Sequence, residues 1–136
     1  MRITQEGDYA LRVVRYLFLH GNCRRVEAKV ISEQENIPLR FLLKLLRKLV
    51  AAGVIKSYRG SGGGYVAQNQ PKDITLRQVI EAIEGPININ RCLLNPDLCN
   101  LKRAETCDIH KALDGIQLKL IKELDSVNFE QIIKAK

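Results

Sequence analysis

Apolar residues recur at helical spacing through the first 20 residues, where Ala10, Val13, Val14, Leu17 and Phe18 fall on one face and predict a helix. Asp8 lies in its early turns, where an acid suits the helix dipole. Gly21-Asn22-Cys23-Arg24-Arg25 reads as a turn. A short helix over about Glu27 to Glu35 follows, with Ala28, Ile31 and Val30 inward. Asn36-Ile37-Pro38 breaks it, because a residue before proline is pushed out of the α region. A third helix runs from about Pro38 to Ala52, and Gly53 closes it as a left-handed residue. Its Leu39, Leu42, Leu43, Leu46, Leu49 and Val50 form one broad apolar face.

The pattern then changes. Val54 to Tyr58 suits a strand and Tyr65 to Ala67 its partner, with Arg59-Gly60-Ser61-Gly62-Gly63-Gly64 as the flexible tip between them. Asn69 to Lys72 is a loop. Thr75-Leu76-Arg77-Gln78 is a capping-box signature for a helix reaching about Glu84, stopped by Gly85-Pro86. No periodicity holds from Pro86 to Thr106. A long helix follows over about Asp108 to Leu124, whose Ile109, Leu113, Ile116 and Leu120 are spaced 4, 3 and 4 as a single seam. Asn128-Phe129-Glu130-Gln131 begins a short last helix.

Helix, helix, turn, helix and two-stranded hairpin over residues 8–67 is the order of a winged helix-turn-helix. The fold class is therefore mainly α with a small β-hairpin wing, followed by the long helix. Arg40, Lys44, Arg47 and Lys48 cluster opposite the leucine face of the third helix. One side can pack on the first two helices while the other, with Phe41 beside it, meets phosphates or base edges. The glycine-rich tip lets a backbone approach another molecule closely. Arg59 at its base can enter a minor groove, where negative potential concentrates. No Lys-Ser/Thr pair and no helix start follow the tip, so it does not read as a nucleotide-binding P-loop.

Charge strengthens this picture. Residues 1–70 hold 12 basic and 5 acidic side chains, net +7, whereas residues 71–136 hold 10 of each. The whole excess sits on the half that carries the third helix and the wing, which points to a polyanion, nucleic acid first. The chain of 136 residues has no tryptophan and seven other aromatics, so its core is mostly Leu, Ile and Val. No apolar run approaches the roughly 18–20 residues that cross a bilayer, and the N-terminal residues lack a signal peptide's apolar region. A cytoplasmic protein without membrane contact is expected. No Ser–His–Asp set, carboxylate pair or nucleotide motif is recognisable, so neither an enzyme nor a small-molecule substrate is expected.

In a reducing compartment the four cysteines read as thiols or metal ligands rather than disulfides. Cys92, Cys99 and Cys107 are separated by 7 and 8 residues, and His110 lies three beyond Cys107. Cys107 and His110 fall on adjacent turns at a helix start and can point to one centre. This spacing admits an iron–sulfur cluster, a zinc ion, or unligated thiols that respond to oxidation. Cys23 stands apart as a turn thiol without a role. His20 reads as a helix-terminal cation.

With these pieces in place, the chain resembles the bacterial winged-helix regulators that include the iron–sulfur cluster regulator IscR and the nitric-oxide sensor NsrR. The resemblance runs from Met1-Arg2-Ile3-Thr4 through Asp8-Tyr9-Ala10-Leu11 and Leu45 to Leu49, and is most specific over Val54 to Tyr65. It implies a winged helix-turn-helix DNA-binding domain over residues 1–70, and a cluster-binding loop with dimerisation helices over residues 71–136. It implies a homodimer whose long helix packs against its partner's, with Ile109, Leu113, Ile116 and Leu120 as the dimerisation seam, reading a pseudo-palindrome in double-stranded DNA. The contacts would come from Arg40, Phe41, Lys44, Arg47 and Lys48 with Arg59, Gly60, Ser61 and Gly62. It further implies a transcriptional repressor with a 2Fe–2S or 4Fe–4S cluster on Cys92, Cys99 and Cys107. His110 matches the fourth ligand of IscR-like members; the alternative is Asp8 of the partner subunit, as in NsrR-like members. Leu42-Leu43-Lys44-Leu45-Leu46 is more apolar than the base-reading face of IscR, so target sequences do not carry over. A zinc-stabilised or cluster-free thiol-switch regulator is the alternative function.

Overall fold

Thr4 opens the first helix, α1 (Gln5–Tyr16), by accepting a hydrogen bond from the Gly7 amide at 3.1 Å. Glu6 and Asp8 occupy its first turn, at the positive end of the helix dipole. The structure, a computed structural model, describes residues 2–21 and 24–134. Where the sequence pattern predicts one continuous helix, α1 gives way to a π-helical turn over Leu17–Gly21. The turn expected next contains Asn22 and Cys23, which lie outside the described residues.

The second helix, α2 (Ala28–Glu35), buries Ile31 and leaves Val30 exposed rather than inward. Asn36 ends it in the left-handed conformation, φ 51°. The third helix, α3 (Leu39–Ala51), closes in a Schellman arrangement: Gly53, at φ 77°, donates to the Val50 carbonyl, and Val54 donates to that of Leu49, both at 3.0 Å. Leu42, Leu45, Leu46 and Leu49 are fully buried, whereas Leu39 and Leu43 are exposed. The apolar face is thus rotated from the predicted one. At about 100° per residue, the buried arc is centred between Leu42 and Leu49 with Leu45 at one edge, and Leu39 and Leu43 lie beyond its other edge, past Leu46.

The strands β1 (Ile55–Tyr58) and β2 (Gly64–Ala67) pair antiparallel, from Ile55 opposite Ala67 to Tyr58 opposite Gly64. A further rung joins Val26 to Tyr65, so the segment before α2 adds a third edge to the hairpin. Mainly helical with this small hairpin, the chain is a winged helix-turn-helix followed by a long helix.

The helix α4 (Leu76–Glu84) carries the complete capping box: Thr75 accepts from the Gln78 amide at 3.2 Å, and Gln78 accepts from the Thr75 amide at 2.7 Å. It packs against α1 and α3, burying Val79 and Ile83 in the same core as Val13, Val14, Ile31 and Leu46. Residues 86–107 are not featureless. They contain a one-turn helix, α5 (Arg91–Leu94), and 3-10 turns over Pro96–Leu98 and Ala104–Thr106. The long helix α6 (Asp108–Ser126) follows, and the last helix, α7 (Phe129–Lys134), folds back to the core. The Phe129 amide donates to the Ile74 carbonyl at 3.0 Å, and its fully buried ring lies 5.7 Å from that of Phe18. By contrast α6 buries only Gln117 along its length. Among the described residues, no helix is long and apolar enough to cross a membrane.

Candidate nucleic-acid interface and cysteine site

Because α3 turns its leucines inward, Arg40, Phe41, Lys44, Arg47 and Lys48 all emerge on its exposed side. They are not equally free. Lys48 Nζ lies 2.8 Å from Glu6 Oε1, so an acid of α1 neutralises one end of the basic stripe. Phe41 stands edge-on to Tyr9, ring centroids 5.7 Å apart, with the Arg12 guanidinium 5.1 Å from the Tyr9 ring. Arg40, Lys44 and Arg47 make no ion pair among the described residues, leaving their charge for an external anion.

At the wing, Arg59, Gly60, Ser61 and Gly62 are exposed. The Gly63 amide closes the tip by donating to the Gly60 carbonyl at 2.9 Å. Gly64 is required sterically. Its φ is 145°, and a Cβ there would stand 2.7 Å from the Val26 carbonyl oxygen. That close approach lets Val26 and Tyr65 exchange two backbone hydrogen bonds, at 2.9 and 2.8 Å. The residue before Val26 also matters. Arg25 lays its guanidinium over the Tyr58 ring, 3.8 Å from the centroid, and donates to the Gly62 carbonyl at 3.3 Å. Local sequence places Arg25 only in a turn. The single available signal is its position one residue ahead of a valine that can extend a strand.

The cysteines sit on the segments between α4 and α6. Cys92 lies within α5, whose first amide, that of Arg91, donates to the Asn90 side chain at 2.9 Å. Cys99 ends the turn over Pro96–Leu98, and Cys107 immediately precedes α6. All three are free, half-buried thiols. Backbone amides of Arg103 above all, and of Leu101 and Lys102, donate toward Cys99 and hold its thiol below the ordinary range, helped by the Arg103 charge. The segments pack in succession: α5 on the first turn, that turn on the second, and both α5 and the second turn on α6.

His110 meets Cys92. Its Nδ1 lies 3.2 Å from Cys92 Sγ, joining α5 to the first turn of α6. Sequence spacing pairs His110 with Cys107 instead, because it registers only neighbours on one helix. Among the described residues, no three His, Cys, Asp or Glu side chains are gathered into a metal-sized group. Asp8 stands on the exposed side of α1, 3.6 Å from Arg12. Cys23 lies outside the described residues. His20 lies in the π-helical turn and stacks on Tyr16, ring centroids 4.6 Å apart.

A second tie runs from the same loop to α6. Buried Gln117 accepts a hydrogen bond from the Ile89 amide at 2.8 Å. Of the apolar seam, Ile109 is 69% exposed and Ile116 55%, with Leu113 and Leu120 partly covered. Within one chain, half of that seam is left exposed.

The profile of the Rrf2 family, described as an iron-dependent transcriptional regulator, matches residues 3–135. A helix-turn-helix transcriptional regulator of Neisseria meningitidis is 30% identical over 136 residues, covering 100% of this chain and 90% of the relative. The helix-turn-helix regulator IscR of Xenorhabdus nematophila is 28% identical over 134 residues, covering 98% of this chain and 80% of the relative. Among solved structures, CymR, the global cysteine regulator of Bacillus subtilis, superposes with a TM-score of 0.74 at 28% identity, covering 100% of this chain and 98% of that one.

Proposed function

The chain belongs to the Rrf2 family of transcriptional regulators, and from that premise we propose that it is a homodimeric repressor whose operator binding is governed by an iron–sulfur cluster. Cys92, Cys99, Cys107 and His110 would hold the cluster. The observation that carries this reading is the contact of His110 with Cys92, which draws the cysteine loop onto the start of α6. Three half-buried thiols and an imidazole are a soft donor set suited to iron. The amides around Cys99 favour its thiolate form, which is the ligand form. When bound, the cluster supplies an iron whose non-thiolate ligand is the weakest, and so the one most open to oxygen, nitric oxide or iron loss.

Residues 1–70 form the DNA-reading head in this proposal, and residues 71–136 the cluster-binding loop and dimerisation helices. Arg40, Lys44 and Arg47 meet phosphates or base edges, while Arg59, Gly60, Ser61 and Gly62 enter the adjacent groove of a pseudo-palindromic site. Ile109, Leu113, Ile116 and Leu120 pack against the same seam of a second copy, which covers the exposed Ile109 and Ile116. The loop is tied to this helix through His110 and through Gln117, so its order can set the spacing of two heads. His110 is favoured over Asp8 of the partner subunit as fourth ligand, because Asp8 is paired with Arg12.

A cluster-free thiol switch is the second reading. It is favoured by the lowered thiol of Cys99 and by the absence, among the described residues, of a preassembled three-ligand group. The experiment is Cys92→Ser, measured for duplex binding in protein purified without oxygen. Under the cluster proposal the variant loses both iron and the response of DNA binding to nitric oxide. Under the thiol switch, wild type holds no iron and the variant loses its response to oxidant alone.

A further inference from the structure

We infer that Arg25 is a positioning residue for DNA reading, a clamp that holds the wing in the pose presenting Arg59 to the duplex. The inference rests on the DNA-reading role of the head. Arg25 touches the hairpin at both ends. Its guanidinium lies over the ring of Tyr58, the last residue of β1, and one of its N–H groups reaches the Gly62 carbonyl at the tip. Its own backbone is anchored next door, where Val26 and Tyr65 exchange two hydrogen bonds. The side chain therefore spans from a hydrogen-bonded strand edge to the glycine-rich tip.

The tip needs such a clamp. Gly60, Gly62, Gly63 and Gly64 surround Arg59 and Ser61, and a glycine-rich loop loses more conformational freedom on ordering than other loops. Beyond the pairing of Tyr58 with Gly64, the tip is closed by the hydrogen bond from Gly63 to Gly60 and by Arg25 itself. Ordering the tip before the duplex arrives lowers the ordering cost at binding, which is how preorganisation raises affinity. Tyr58 serves as the platform, with Lys56 Nζ also 5.7 Å from its ring. A planar guanidinium suits this place, since it stacks through its face while donating through its edge.

The test uses the full chain and a duplex that the wild-type protein enriches from a random-sequence library, with amide exchange as the second readout. Arg25→Ala is expected to weaken duplex binding about tenfold, as the loss of one cation–π contact and one hydrogen bond implies. It should speed exchange at the Gly63 amide while leaving α1 and α3 unchanged. Tyr58→Leu should reproduce both effects and add little to Arg25→Ala, whereas Tyr58→Phe, which keeps the ring, should preserve binding. Weakened binding with unchanged Gly63 exchange, and a salt dependence reduced by about one phosphate contact, would make Arg25 a direct backbone contact and overturn the clamp. Unchanged exchange with unchanged binding would overturn it as well. If wild type enriched no duplex, the DNA-reading premise would fall and the positioning role with it, a failure separable from loss of the clamp because the exchange readout needs no DNA.

Discussion

Cys92 and His110, 18 residues apart, meet at 3.2 Å where α5 rests on the first turn of α6. This places a thiol and an imidazole together at the junction between the cysteine loop and the apolar seam. His110→Ala should therefore retain much less iron than wild type after anaerobic preparation, with its helical circular dichroism unchanged. Cys23→Ser, which alters the thiol assigned no role, should retain all of it. Equal iron in the two variants would remove His110 from the ligand set.

The basic face of α3 predicts unequal effects on DNA binding. Lys48 is neutralised by Glu6, whereas Arg47 makes no ion pair among the described residues. Arg47→Ala should weaken duplex binding by about 1–3 kcal/mol if it reads a base edge, and Lys48→Ala by less. Glu6→Gln should tighten binding by removing a negative charge near the phosphates. Titrations at several salt concentrations check this, because affinity should fall linearly on logarithmic axes as counterions are released.

Rotation of the buried face of α3 separates two leucines that periodicity groups together. Leu46 is fully buried and Leu43 is exposed. Leu46→Ala should cost about 2–5 kcal/mol of unfolding free energy, as large-to-small core substitutions do. Leu43→Ala should stay within about 0.5 kcal/mol, as at other surface positions. Urea unfolding of both variants measures the difference, and equal losses would contradict the rotated face.

The seam on α6 predicts the assembly state. Ile116 is 55% exposed in a single chain, and a charge there would have to be buried in a paired seam. Ile116→Glu should convert a dimer to a monomer in sedimentation equilibrium while leaving the head folded. A dimer that persists would place the subunit contact elsewhere.

Features legible in the sequence are those decided by neighbours in the chain. The Thr75–Gln78 capping box, the left-handed Gly53 and the break at Asn36 involve residues a few positions apart, and each stands where its local chemistry puts it. What could not be read depends on distant partners. Val26 joins the wing only because Tyr65 comes alongside it, and Phe129 returns to the core only because its backbone pairs with Ile74. Arg25 acquires its contact with Tyr58 through the same long-range pairing. For the cysteine site, spacing singles out the candidate residues but links His110 to Cys107, its neighbour on the helix. The contact with Cys92 arises from packing of α5 on α6 across a segment without periodicity.

In the proposed reading, Cys92, Cys99, Cys107 and His110 hold an iron–sulfur cluster. That reading is tested most directly by quantifying iron and acid-labile sulfide, with a visible absorption spectrum, in the full chain purified without oxygen. The proposal predicts a coloured protein containing iron and sulfide in equal amounts, lost together in Cys92→Ser. A colourless protein containing zinc, or no metal at all, would contradict it.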